Sequence, residues 1–304
     1  MARLSKEKPG TRTVARHLCK QIDDALQRLE RKRVGDEDVH EARKHLKKAR
    51  ASLRLLRPGL KDADYRALNT KLRDAGRPLS AARDAKVLLD TLRMLTERYG
   101  EPARALHLEG LKHLLNERRD QLARDVLDTK GAALAHSRRL LREARTAIDR
   151  HGIARDDWDT IGAGLESVYA RGRHAGAAAR KTPQADTFHE WRKQVKYLRY
   201  QLELLEPLWP GMIGELADQA HKLADYLGDE HDLSVLRETV LANRAAFRDG
   251  ATQSALLALI DRCRSELREK AMLLGARLYE EKPHAFVSRF GKYWRDWHAE
   301  KSAA

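Results

Sequence analysis

Residues 39–58 read VHEARKHLKKARASLRLLRP, and residues 188–207 read FHEWRKQVKYLRYQLELLEP. The two stretches align without a gap at an offset of 149 residues. In each, apolar residues recur with the three- and four-residue spacing of an amphipathic helix, which predicts one buried stripe. The predicted stripes are Val39, Ala42, Leu46, Ala49, Leu53 and Leu56, and Phe188, Trp191, Val195, Leu198, Leu202 and Leu205.

The repetition extends beyond these stretches. At an offset of 148, LSAARDAKVL (79–88) matches LGDEHDLSVL (227–236). Similarity at a fixed offset indicates a tandem duplication of a unit of about 150 residues. We therefore predict a flexible N-terminus at 1–10, a first helical-bundle repeat at 11–150 and a second at 151–300.

The composition favours an all-α fold. Ala, Leu, Arg, Glu and Lys dominate, and alternating β-branched runs are missing. Gly and Pro positions predict about a dozen helices of about 15–28 residues. The predicted breaks include Gly131 and Gly228, and the junction between the halves is expected at 152–159.

The positive charge is concentrated in the first half. The chain has 60 Lys and Arg against 45 Asp and Glu, a net charge of +15. Residues 1–150 contain 37 basic and 22 acidic residues, and residues 151–304 contain 23 of each. Such a field attracts nucleic acid, anionic lipid or a phosphate polymer, although Arg-rich helices can also simply be well solvated.

Basic residues form an arc on the repeated helix. At 100° per residue they fall on one side of the apolar stripe. Like charges three and four residues apart repel, so the arc favours an anionic ligand over a solvated face that the duplication copied. Its members are His40, Arg43, Lys44, Lys47, Arg50 and Arg54, repeated as His189, Arg192, Lys193, Lys196 and Arg199, with Glu203 replacing Arg54.

Neighbouring segments contribute further candidates. Arg73 and Arg77 follow with helical spacing, and His221 stands at the counterpart of Arg73. Arg83 has His231 as its counterpart. Arg171 and Arg173 lie on the predicted helix that leads into the second copy of the repeated stretch. All are predicted to contact the same anion, with ordinary surface charge as the alternative.

Catalytic and metal motifs are missing from the sequence. His40 and His45 in HEARKH are five residues apart, whereas a zinc-protease helix needs histidines at i and i+4. The sequence contains two cysteines without a CxxC motif, and neither a Walker loop nor a GxGxxG motif. We expect no metal, no cofactor and no enzymatic activity. Lacking an apolar 18-residue stretch and a secretory signal, the protein is expected in the cytoplasm, without membrane partners.

The doubled element HExRKxxKxxR, each copy followed by RD or HD and then Val-Leu, resembles the CHAD (conserved histidine α-helical domain) family. YARGRH (169–174), KYLRY (196–200) and Tyr293-Trp294 support the resemblance, which covers about 11–299. It implies two helical bundles with pseudo-twofold symmetry around a basic central groove or pore that binds inorganic polyphosphate. The absence of an ExExK motif implies a stand-alone domain without the triphosphate-tunnel (CYTH) domain that often accompanies this family.

Three functions remain as hypotheses. The leading one is non-enzymatic polyphosphate binding, with attachment to polyphosphate granules as a cellular role. A nucleic-acid-binding, nucleoid-type protein is the alternative, although aromatic residues for base stacking make up only 6% of the chain. A metal-dependent polyphosphate phosphohydrolase is the third.

Overall fold

A computed structural model describes residues 10–79, 81–151 and 157–303, without the side chains of 81–86, 122–130, 151 and 301–303. These residues form helices and their connections, and the described ranges contain no strand. The all-α prediction is therefore confirmed. The helices are α1 (Thr11–Leu29), α2 (Asp36–Leu56), α3 (Asp62–Gly76), α4 (Ala81–Tyr99), α5 (Glu101–Arg104), α6 (Glu109–His151), α7 (Trp158–Lys181), α8 (Ala185–Leu205), α9 (Pro210–Ala242), α10 (Gly250–Leu278) and α11 (Pro283–Ala303).

Two predicted helix breaks are wrong. Helix α6 runs through Gly131 and helix α9 through Gly228, so these helices reach 43 and 33 residues. A glycine inside a helix costs only about 1 kcal/mol relative to alanine, and the remaining turns easily offset that. A Cβ at Gly228 would lie 3.4 Å from Nη2 of Arg192, which is an ordinary van der Waals contact.

The two copies of the repeated stretch form matching helices. Helices α2 and α8 are both 21 residues long, and each is followed by a three-residue 3-10 turn, Arg57–Gly59 and Glu206–Leu208. Each turn contains a proline of the repeat, Pro58 or Pro207. By the sequence offset, α3 and α4 together correspond to the single helix α9.

The predicted apolar stripes are buried. In α2, Ala42, Leu46, Ala49, Leu53 and Leu56 are at most 3% exposed, and Val39 packs against them. The six stripe residues of α8 are at most 2% exposed. Helical periodicity alone therefore identified the core-facing side of both repeated helices.

The two halves share their hydrophobic cores. One buried cluster extends from Val14 in α1 to Trp297 in α11, and a second joins Leu88 of α4 to Leu256 of α10. Helix α2 packs on both α7 and α8, and α4 packs on α9. The halves are thus interlocked, while the boundary near residue 150 and the pseudo-twofold relation of two bundles stay predictions.

A close backbone approach and a buried ion pair fix the helix positions. Helix α7 crosses α2 closely at Gly164, where a Cβ would lie 2.6 Å from Cα of Leu55. In the second half, Oε1 of the buried Glu230 accepts hydrogen bonds from Arg264 Nη2 at 3.0 Å and Arg268 Nη2 at 2.7 Å. These bonds tie α9 to α10.

Candidate functional site

Five basic residues of the first half surround one cavity of about 520 Å³ between α2 and α3. Among the described residues, Leu46, Leu72 and Gly76 complete the lining, and none of these contributes a carboxylate or an aromatic ring. The first half thus presents a concentrated positive charge at a concave surface. We call this cavity the first cup; its basic residues are Arg43, Lys47 and Arg50 of α2, Arg73 of α3, and Arg77, which directly follows α3.

Neutral groups hold two of the arginines. Arg43 Nη1 donates to the carbonyl oxygen of Leu79 at 3.0 Å, and Arg50 Nε donates to Oδ1 of Asn69 at 3.2 Å. These bonds to neutral acceptors fix the orientation of the two guanidinium groups. Arg73 differs, because its Nε donates to the carboxylate of Asp74 at 2.8 Å.

Arg54 lies behind the first cup, outside the residues that line it. Its guanidinium carbon is 3.7 Å from the centroid of the Tyr197 ring, and its Nη1 donates to the carbonyl oxygen of Arg50 at 2.8 Å. Burial lowers the pKa of Arg54, and the nearby Arg50 and Arg171 add to that effect. Arg54 is therefore a buried cation close to Arg50 and to the exposed Arg171.

The second half brings together His189, Arg192, Lys196 and His231, which we call the second cluster. The rings of His189 and His231 are 4.6 Å apart. Burial, followed by the charge of Arg192, lowers the pKa of His231 to about 4 and also lowers that of His189. Both imidazoles are therefore neutral near pH 7. Within the described part of the chain, Nδ1 of His189 and Nε of Arg192 are buried without a hydrogen-bond partner.

Lys196 connects the second cluster with the first cup. Burial, together with the positive charges of Arg192 and Lys47, lowers its pKa to about 7. Asp232 and Asp225 of α9 act in the opposite direction. Because Lys47 belongs to the first cup, these effects place the second cluster beside the first cup across the packing of α2 against α8.

Several predicted site residues face acidic partners instead. Lys44 Nζ lies 3.3 Å from Glu41, and Lys193 Nζ lies 2.5 Å from Glu190. His40 Nε2 is 3.9 Å from the same Glu41. Each lysine thus pairs with the acid three residues before it on its own helix. Two further pairs are Arg199 with Glu203 at 2.7 Å and His221 with Asp225 at 3.0 Å.

Arg173 lies on another surface. Its Nε donates to the carbonyl oxygen of Tyr279 at 3.1 Å, and it lines a separate cavity of about 710 Å³ between α7 and α10. Residues 171 and 173 are about 200° apart on a helix, so Arg171 can approach Arg54 while Arg173 faces α10. The side chain of Arg83 lies outside the described residues.

Sequence reasoning missed the groups that position the basic side chains. Asn69 and Tyr197 carry no charge, and no motif marked them as partners of Arg50 and Arg54. The sequence did show that Tyr197 replaces Lys48 and that Glu203 replaces Arg54. It did not show that Lys48 contacts Glu203, or that Arg54 contacts Tyr197, across α2 and α8.

The remaining chemistry of the described residues is limited. Among them, no group of three or more His, Cys, Asp and Glu side chains is arranged to hold a metal ion. Cys19 and Cys263 are both free thiols. None of the described helices is long and apolar enough to cross a membrane.

The family model that describes the CHAD domain matches residues 16–241. The chain belongs to the CHAD family. No curated protein matches this CHAD sequence significantly. Among solved structures, it is similar to PptA from Streptomyces chartreusis, with a TM-score of 0.67 and 18% identity over 90% of this chain and all of that one. The CHAD domain from the plant Ricinus communis matches with a TM-score of 0.53 and 18% identity over 88% of this chain and 86% of the other. At these identities the likeness shows the fold.

Proposed function

We propose that this CHAD protein binds inorganic polyphosphate without cleaving it. The first cup is the main anchor, and the second cluster extends the basic surface across Lys47 and Lys196. The observation that carries the proposal is a cavity whose described lining contains five basic residues and no acid. Guanidinium and ammonium groups in this arrangement form charge-assisted hydrogen bonds with phosphate oxygens.

The lining of the first cup favours a phosphate chain over nucleic acid. Single-stranded nucleic acid is bound through aromatic platforms on which bases stack. The described lining of the first cup contains no aromatic ring, and Tyr197 beneath it is covered by Arg54. Polyphosphate offers only charged oxygens, which match a site composed of cations.

Retention without hydrolysis fits the same residues. Cleavage of a phosphoanhydride calls for a bound metal or an organised acid and base. The described residues of the first cup supply fixed positive charge, and the lowered pKa values of His231 and His189 make these imidazoles weak bases. A CHAD protein with this site would hold the polymer, and cytoplasmic polyphosphate granules are the proposed place of binding.

A competition experiment tests the proposal. Labelled long-chain polyphosphate is bound at about 0.15 M salt and displaced by single- or double-stranded nucleic acid at equal charge concentration. We expect polyphosphate to remain bound. Its displacement by nucleic acid would establish the alternative function.

A pair of variants with equal charge loss locates the site. Arg50→Gln/Arg77→Gln removes two cations of the first cup, whereas Lys44→Gln/Lys193→Gln removes two that face Glu41 and Glu190. The first variant should bind about tenfold more weakly and flatten the log–log salt slope by about 1.4, at about 0.7 per phosphate contact. The second should stay within about twofold of wild type. Equal losses in both variants would mean that only net charge matters.

A further inference from the structure

Two contacts between α2 and α8 occupy exchanged positions of the repeat. Lys48 Nζ of α2 lies 3.3 Å from Oε2 of Glu203 in α8. Arg54 of α2 stacks on the ring of Tyr197 in α8 at 3.7 Å. Positions 48 and 197 are counterparts at the offset of 149, and so are 54 and 203. The same contact is therefore made twice, once as an ion pair and once as a cation–π contact.

The exchange changes the charge next to the ligand surface. Glu203 also accepts a hydrogen bond from Arg199 Nε at 2.7 Å, so one carboxylate faces both Arg199 and Lys48. Arg50, the counterpart of Arg199, donates to the neutral amide of Asn69 instead. A cation that is already paired with a carboxylate attracts a phosphate group less.

The acids of α9 reinforce the difference. Asp225 stands where the first half has Arg77, and it pairs with His221, the counterpart of Arg73. Asp225 and Asp232 also act on Lys196, the counterpart of Lys47. The counterparts of the five basic residues in the first cup thus include one acid, Asp225, and face two more, Glu203 and Asp232. These counterparts are Arg192, Lys196, Arg199, His221 and Asp225.

We infer that Glu203 is a specificity-determining residue that makes polyphosphate binding one-sided. The polymer is anchored in the first cup, and the counterpart positions do not accept a phosphate chain of their own. Glu203 achieves this by holding Arg199 and Lys48 in ion pairs. The inference rests on the proposed function.

Transplanting the pair tests it. Lys48→Tyr/Glu203→Arg copies the contact of Tyr197 with Arg54 into the second half and releases Arg199. Inorganic tripolyphosphate is the probe, and isothermal titration calorimetry counts its sites. We expect one equivalent per wild-type chain and a second equivalent in the double variant. Glu203→Gln releases the same cations with little change in shape and should also gain the second site if the double variant does not fold.

Two controls separate position from net charge. Arg54→Glu/Tyr197→Lys copies the second-half pair into the first half, where the new carboxylate would face Arg50, and should abolish the wild-type site. Glu97→Gln raises net charge by one at an exposed position of α4 and should keep one equivalent. A second equivalent in Glu97→Gln would overturn the inference.

Other outcomes distinguish the inference from the proposed function. Two equal tripolyphosphate sites in the wild type, or a single site in both folded Glu203 variants, would overturn the inference while polyphosphate binding stands. A wild-type protein that binds neither tripolyphosphate nor long-chain polyphosphate would overturn the proposed function itself, and the inference with it.

Discussion

Lys196 should make polyphosphate binding dependent on pH in the neutral range. Its ammonium is half-buried and faces Arg192 of its own helix, Lys47 of α2, and Asp225, His231 and Asp232 of α9. Burial and the two neighbouring cations hold its pKa at about 7 in the free protein. A bound phosphate chain brings negative charge to Lys47 and so favours the protonated form of Lys196, which means that binding takes up a proton.

The magnitude follows from this pKa. If the bound state keeps the proton, the observed affinity is proportional to the protonated fraction of Lys196 in the free protein. With a pKa of about 7, that fraction falls about tenfold between about pH 6 and about pH 8. The sign is fixed: affinity is highest below the free pKa and decreases as the pH rises. His231, with a pKa of about 4, does not titrate in this range.

Calorimetry over this pH range, in two buffers of different ionisation enthalpy, measures both affinity and proton uptake. Long-chain polyphosphate is used, so that its few titrating end groups contribute little. Lys196→Arg is the informative variant, because arginine stays charged throughout. It should bind with an affinity independent of pH, and Lys196→Gln should be equally flat but weaker. A wild-type affinity that is constant from about pH 6 to about pH 8, or a Lys196→Arg variant that retains the slope, would refute the argument.

Three further expectations concern stability and catalysis. Gly164→Ala places a Cβ against the backbone of α2 at Leu55 and should lower the free energy of unfolding by about 3 kcal/mol. Gly131→Ala, with nothing within 4 Å of its new Cβ, should be neutral or stabilising by up to about 1 kcal/mol. Equal losses of unfolding free energy in both glycine variants, measured by urea unfolding, would contradict the close crossing of α7 and α2. Glu230→Gln removes the anion beneath Arg264 and Arg268 and should cost about 3 kcal/mol in the same assay, whereas an unchanged midpoint would deny that the buried pair matters. Purified protein should release no phosphate from polyphosphate with or without divalent metal, and steady release that survives repurification would contradict binding without cleavage.

Helical periodicity in the sequence determined which faces of the repeated helices are buried and which carry the basic residues. The duplicated stretch predicted two equivalent helices and the stripe that each of them buries, and the structure confirms both. It also placed Arg43, Lys47 and Arg50 on one side of α2, where they line one cavity with Arg73 and Arg77. These inferences succeed because the angle between residues on one helix depends only on their spacing.

Tertiary packing decided which of those side chains act together. The spacing rule put Lys44 in the arc, but Glu41 pairs with it, and Arg173 contacts α10 rather than the arc. The approach of Lys47 to Lys196, and the exchanged contacts of Lys48 with Glu203 and of Arg54 with Tyr197, join residues more than 140 positions apart. Such contacts depend on how α2 and α8 cross, and the crossing is set by the burial of both stripes in one shared core. A single sequence gives the faces of its helices, but only the packed structure shows which faces meet and which charges they bring together.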